Sequence, residues 1–252
     1  MSKVLVIGDG CEDVYEYGQC RRLNPEAPVP VFEPSYTYSN GGMARNVHSN
    51  LVALGVDTTI HTNKEMVTKK RLVEQKTNYI LLRIDTGDSD VTRAQLPGKN
   101  YFKQFDAVVV SDYNKGFLLE QDIETICNSH DLVFVDTKKT LGTWLNECSF
   151  IKINEKEYND SKNLISEELQ SKIITTLSER GCVYQGRTYP VDNVEVKDLA
   201  GAGDTFLAGL VSKYLETGDI DTSIKYANAC ATCVVQKKGV SVIKLEEIES
   251  EI

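Results

Sequence analysis

The run Val196-Lys197-Asp198-Leu199-Ala200-Gly201-Ala202-Gly203-Asp204 holds the residues best suited to chemistry. Residues 193–196 are β-prone. Beyond Asp204, Phe206, Leu207, Leu210 and Val211 supply one apolar face of a helix. Gly201, Ala202 and Gly203 therefore build a helix start from the smallest residues. The first N–H groups of a helix have no internal partner, and small side chains let a ligand reach them. The helix dipole favours an anion at the same place. A carboxylate directly beyond such a turn would repel a phosphate, so Asp204 has two readings. It is a helix cap, for which Asp is a favoured type, or it is a base that takes the proton of a hydroxyl attacking the phosphate.

Other residues have the right types for ligand contact. Asp13 follows the apolar run 4–7 as a loop residue. Asn40-Gly41-Gly42-Met43-Ala44-Arg45-Asn46 opens a helix predicted to reach Leu54, with Val47, Leu51 and Leu54 on one face. Gly41 and Gly42 permit close approach, and the Asn46 amide can both donate to and accept from a hydroxyl. Lys115 stands just past the apolar run 106–110, where open parallel sheets collect their ligand residues. It is an anion contact or a surface lysine. Asn154 and Glu157 follow the strand-like run 150–153 and read as a helix cap with an acidic first turn, which does not exclude a role toward a hard cation.

Asp198-x-x-Gly201-Ala202-Gly203-Asp204 resembles the signature of the ribokinase-like (pfkB) sugar kinases. Asp13-x-Tyr15-x-Tyr17-Gly18, the following Pro25-Glu26-Ala27-Pro28-Val29-Pro30-Val31, and Ser111-Asp112-Tyr113-x-Lys115-Gly116 look like the kinase domain of bacterial heptose-7-phosphate kinases. The resemblance implies an α/β fold: a three-layer α/β/α sandwich with a mostly parallel sheet and a small β lid. It implies one domain over residues 1–252, with lid strands around 15–40 and 68–84. It implies Mg²⁺-dependent transfer of the γ-phosphoryl group of ATP to a sugar hydroxyl, in the nearest case the anomeric hydroxyl of heptose-7-phosphate. Another sugar or a nucleoside as acceptor, or a non-catalytic sugar-phosphate-binding relative, are the other readings.

By the same resemblance Asp204 is the base, and Gly201, Ala202 and Gly203 form the anion hole. Asp13, Gly41, Gly42 and Asn46 hold the sugar, and Lys115 holds an anionic substrate group. Lys138, Ser178, Gly181, Asn228 and Gly239 face the nucleotide, and Asn154 and Glu157 organise Mg²⁺ largely through water. The lid strands often pair two copies in this family, so a homodimer is expected. Many relatives fuse the kinase to a nucleotidyltransferase with a His-x-Gly-His signature. The sequence holds no such motif, so a separate nucleotidyltransferase is the expected pathway partner. Four departures stand out. Ala200 replaces Thr or Val. Asp136-Thr137-Lys138-Lys139 stands where relatives read Asp-Pro-Lys-Gly. Ser178 replaces the first glycine of the nucleotide loop. A family segment is absent between Ile60 and Thr68, which bears on the sheet edge and the lid.

Those residues need a frame. Runs at 4–7, 57–61, 70–74, 78–84, 106–110, 132–135 and 150–153 read as strands, and helical patterns alternate with them, giving a helix-covered α/β sheet. Three prolines in residues 25–30 exclude a helix there, and residues 29–38 read as two short strands standing off the sheet. Gly8-x-Gly10 mimics a dinucleotide fingerprint, but Asp13 stands where the third glycine belongs and no helix pattern follows. No P-loop motif occurs. The chain has 252 residues, 41% hydrophobic and 26% charged, with net charge −9, so it offers no basic face for nucleic acid. No apolar run approaches a membrane span, and no secretory signal is visible. Seven scattered cysteines suit reduced thiols in the cytoplasm, and Cys230-x-x-Cys233 reads as small core residues rather than a redox or metal pair.

Overall fold

The run 4–7 forms the middle of strand β1 (Lys3–Gly8), and its four apolar residues are wholly shielded from solvent. The computed structural model describes residues 2–248; Met1 and residues 249–252, part of the single-domain expectation, lie outside the described residues. β1 lies between β4 (Asp57–Thr62) and β7 (Ala107–Asp112), parallel to both. β8 (Val133–Thr137), β9 (Phe150–Asn154) and β10 (Ile173–Thr176) extend the sheet in parallel. An antiparallel hairpin of β11 (Cys182–Tyr184) and β12 (Arg187–Tyr189) closes one edge and β4 the other.

Both faces of this eight-stranded sheet are covered, which is why its central strands read as unbroken apolar runs. The strand period sends Val4 and Val6 to one side and Leu5 and Ile7 to the other. On the first side they pack with α1 (Ala44–Ala53), α6 (Ala202–Thr217) and α7 (Ile220–Val235). On the second they meet Phe102 of α2 (Lys99–Phe102) and Ile123 and Ile126 of α3 (Glu120–Cys127). The result is the expected three-layer α/β/α architecture. No helix among the described residues is long and apolar enough to cross a membrane. Cys230 and Cys233 are buried on α7 within this core.

A second sheet of four strands stands over the first, in the order β3 (Pro30–Met43), β2 (Gly10–Leu23), β5 (Thr68–Glu74), β6 (Ile80–Thr86). It differs from the sequence reading in three ways. Asp13 lies in β2 rather than in a loop, because the chain enters β2 one residue after β1 ends. Of residues 29–38, all but Val29 belong to one long strand, not two short ones. Pro34 is tolerated because β3 is an edge strand and the register shifts beside its partner Gly18, at a bulge. The helix opens at Ala44 rather than Asn40. β3 runs into α1 with no residue between them, and the turn is taken by Met43 at φ 58°. The β-prone residues 193–196 form no strand. At the expected deletion, residues 63–67 alone carry the chain from β4 into β5, and all four strands of the small sheet are present.

Candidate functional site

α6 begins at Gly201, which takes the left-handed conformation (φ 81°, ψ −4°) as its N-cap. Asp204 therefore lies in the first turn and makes no capping hydrogen bond, so the capping reading fails. The Ala202 N–H reaches Leu199 O only at 3.3 Å, and the Gly203 N–H meets no acceptor among the described residues. These are the open donors of a helix start.

The Asp204 carboxylate is 3% exposed and held at both oxygens. Asn46 Nδ2 donates to Oδ2 at 3.0 Å, and the Tyr113 hydroxyl donates to Oδ1 at 2.7 Å. Burial pushes its pKa above the ordinary carboxylate range and nearby Asp136 adds to this. The two hydrogen bonds and Lys152 pull the other way. Tyr113 is held by its loop: the buried Asp9 carboxylate accepts the Tyr113 N–H at 2.7 Å and the Lys115 and Phe117 N–H groups at 3.3 Å each. Burial and the neighbouring Asp204 raise the Tyr113 phenol far above its usual pKa, so it donates as a neutral hydroxyl.

On one side of Asp204 lies a cavity of about 570 Å³, within the range of small-molecule sites. Gly201, Ala202 and Gly203 line it, as do Lys138, Ser178, Gly181 and Asn228. Asn228 Nδ2 also donates to Tyr189 O at 3.0 Å. Lys152 is 4% exposed, bonded to Asp136 Oδ2 at 2.7 Å and close to the helix start. Burial alone would raise the Asp136 pKa; Lys152 and Lys138 outweigh it and hold Asp136 ionised. Lys138 bridges Asp136 (3.4 Å) and Glu157 (2.6 Å). Ser178, at the family glycine position, is forced to φ 54°, a conformation that suits glycine.

Asn154 and Glu157 form a reciprocal capping box on α4 (Glu155–Ser161): Asn154 accepts the Glu157 N–H at 2.9 Å, and Glu157 accepts the Asn154 N–H at 2.8 Å. No cluster of three metal-ligating side chains exists among the described residues. One carboxylate beside an anion cavity suits Mg²⁺, which takes one or two carboxylates and completes its shell with water and phosphate.

The small sheet faces Asp204 from the other side. Asp13 accepts from the buried Arg71 at 2.6 Å. Its second oxygen lies where Gly42 has no side chain; a Cβ there would sit 2.0 Å away. Gly41 lies beside Gly42 at the end of β3, against Arg45. Lys115 is already paired with Asp88. Gly239 does not line the cavity; it packs against Tyr15 of β2, and its N–H reaches Asp198 at 3.1 Å.

Residues 48–247 match the pfkB family of carbohydrate kinases. The chain belongs to that family. It is similar to the bifunctional protein HldE of Helicobacter pylori strain HPAG1, 33% identical over 98% of this chain and 66% of that protein. The HldE of strain G27 is 34% identical with the same coverage. The kinase thus spans about two thirds of the length of these relatives. The alignment runs over 306 positions, more than this chain has, so it crosses stretches of the relative with no counterpart here. Among solved structures, a ribokinase from Thermotoga maritima superposes with TM-score 0.76 at 15% identity, covering 99% of each chain. A ribokinase of Arabidopsis thaliana in complex with ribose and ATP gives 0.71 at 14% identity, covering 99% of this chain and 98% of the other. Both show a shared ribokinase fold.

Sequence reasoning missed four residues of this kinase's site. Tyr113 lay within a quoted motif but had no role. Lys152 had a signal, a lone lysine inside the apolar run 150–153, and so did its partner Asp136 at a strand end. Arg71 stands in the run Lys69-Lys70-Arg71, where composition alone does not separate it from its neighbours. In a strand, Lys69 and Arg71 share one face and Lys70 the other.

Proposed function

We propose that this kinase uses Mg²⁺ and ATP to phosphorylate the anomeric hydroxyl of heptose-7-phosphate. The observation that carries the reading is the place of Asp204: a buried carboxylate beside open helix-start amides, with an anion-suited cavity on one side and the small sheet on the other. The nucleotide takes the cavity, with Lys138, Ser178, Gly181 and Asn228 along it. Gly239 stands outside that set. Asp13, Gly41, Gly42 and Asn46 position the sugar under the small sheet, which acts as the lid of a single kinase domain. Asp204 accepts the proton of the attacking hydroxyl, and the amides at Ala202 and Gly203 meet the charge on the transferred group. Lys152 and Lys138 add positive charge on the donor side. Asn154 and Glu157 hold Mg²⁺ through water; the ion, when bound, neutralises charge on the nucleotide phosphates.

The reading includes a dimer through the outer face of the small sheet, where Leu82 and Ile84 are exposed; sedimentation velocity tests it. The seven scattered cysteines suit a reducing cytoplasm. The deciding experiment is ADP release from Mg²⁺-ATP with heptose-7-phosphate, ribose, fructose-6-phosphate and adenosine, with Asp204→Asn as the blank. Activity confined to the heptose supports the full reading. Activity on another acceptor keeps the mechanism and discards the substrate. Silence from folded protein leaves sugar-phosphate binding without catalysis.

A further inference from the structure

The inner face of the small sheet carries an uneven charge. Lys69 and Arg71 lie on that face of β5, in register with Asp13 and Tyr15 of β2 and with Asp85 and Arg83 of β6. Lys70 points the other way and pairs with Glu16 at 2.7 Å. Lys115, from the loop after β7, acts on the same space, since it and Lys69 both bear on Asp85. Three of these four cations are matched. Arg71 meets Asp13 at 2.6 Å, Arg83 meets Asp85 at 2.6 Å, and Lys115 meets Asp88. Lys69 alone has no carboxylate within 4.0 Å among the described residues. Its ammonium sits over the Tyr113 ring instead, 5.1 Å from the centroid. The hydroxyl of that ring is the group bonded to Asp204 at 2.7 Å. One aromatic ring thus separates a surplus positive charge from the carboxylate.

We propose that Lys69 binds an anionic group, a phosphate, carried by the acceptor at the end remote from the hydroxyl that Asp204 serves. The inference rests on the kinase reading above and deepens it. It moves the anion contact from Lys115, whose charge Asp88 already neutralises, to the one inner-face cation without a counter-ion. An acceptor lying across the Tyr113 ring would place its hydroxyl at Asp204 and its phosphate at Lys69. A charge-assisted contact of this kind is made in ground state and transition state alike, so its loss falls on affinity rather than on turnover.

The test is Lys69→Met, which keeps the aliphatic stem over the ring and removes the charge, with Lys69→Arg as the conservative variant. With heptose-7-phosphate, Lys69→Met is expected to raise KM roughly ten- to a hundredfold, the scale of a hydrogen bond to a charged group. kcat and the KM for ATP stay put, Lys69→Arg recovers most of the loss, and the unphosphorylated heptose shows no difference between variant and parent. An unchanged KM, or an equal loss with both acceptors, overturns the proposal. If the unsubstituted protein turns over no acceptor, the kinase reading fails instead, and a binding measurement decides for Lys69. In protein with isotope-methylated lysines, the Lys69 NMR signal should move with heptose-7-phosphate and not with the unphosphorylated heptose. No movement overturns the proposal. So does equal movement with inorganic phosphate alone, which marks an ion contact without acceptor geometry. This arm needs no variant to fold.

Discussion

Asp204→Asn separates two consequences of burying one carboxylate. Burial, reinforced by Asp136, raises the Asp204 pKa in the folded state above its ordinary value despite the hydrogen bonds from Tyr113 and Asn46. Between the ordinary carboxylate pKa and the folded-state value, the folded protein therefore binds more protons than the unfolded chain. Stability falls as pH rises through that window and is flat above it. At neutral pH the ionised side chain thus costs the fold about 1.4 kcal/mol for each unit by which its pKa is raised. Asparagine removes the titration and keeps the contacts. Its oxygen still accepts from Asn46 Nδ2, and the Tyr113 hydroxyl, both donor and acceptor, turns to accept from the new amide. The two proteins should melt together near the bottom of the window, and the variant should gain as pH rises. Each ~1 kcal/mol is about 2–4 °C for a chain of this size. Turnover at the same pH should fall at least about a hundredfold, the scale of general-base removal. Calorimetric melting from about pH 4 to pH 8, paired with ADP release, reads both. A variant less stable than its parent by the same amount at every pH would refute the desolvation argument. Near-native turnover would refute the base.

Three further substitutions test neighbouring parts of the site. Tyr113→Phe removes a donor to ionised Asp204, so kcat should fall about ten- to a hundredfold. The acid limb of the kcat/KM profile should move to higher pH, because the carboxylate loses a bond that favours its charged form; an unmoved limb contradicts this. Ser178→Gly relieves a left-handed serine and should raise the melting temperature by the equivalent of about 1 kcal/mol, and a lower melting temperature counts against strain there. Arg71→Met leaves the buried Asp13 without its partner and should cost about 3–5 kcal/mol in urea unfolding, most of it restored by adding Asp13→Asn. A loss below about 1 kcal/mol would show that solvent already shields Asp13.

The central strands were legible because a strand buried on both faces needs nothing but apolar residues, and residues 4–7 and 107–110 say so directly. The helix start at residues 201–204 was legible because its chemistry is local. What escaped detection was set by partners far along the chain. β2 alternates in burial, but Gly10, Glu12, Asp13 and Gly18 mask its pattern, and it stands as a strand through β3 and β5. The hairpin of β11 and β12 is three residues a side, too short to show a period. Tyr113 gains its role from Asp204, 91 residues away. Gly239 is close in sequence to the α7 cavity wall, yet its turn folds back against Tyr15.

The joint at Met43 binds two parts of the site into one lever. Gly42 lies beside Asp13, one residue from the end of β3, and Asn46 stands four residues on, its amide on the Asp204 carboxylate. No loop lies between them to absorb a displacement. A tilt of the small sheet is therefore delivered to Asn46, and through it to the aim of the carboxylate. Acceptor arrival and alignment of the base become a single mechanical event. The donor side meets the same carboxylate by another route: Gly201, Ala202 and Gly203 line its cavity and open the helix that carries Asp204.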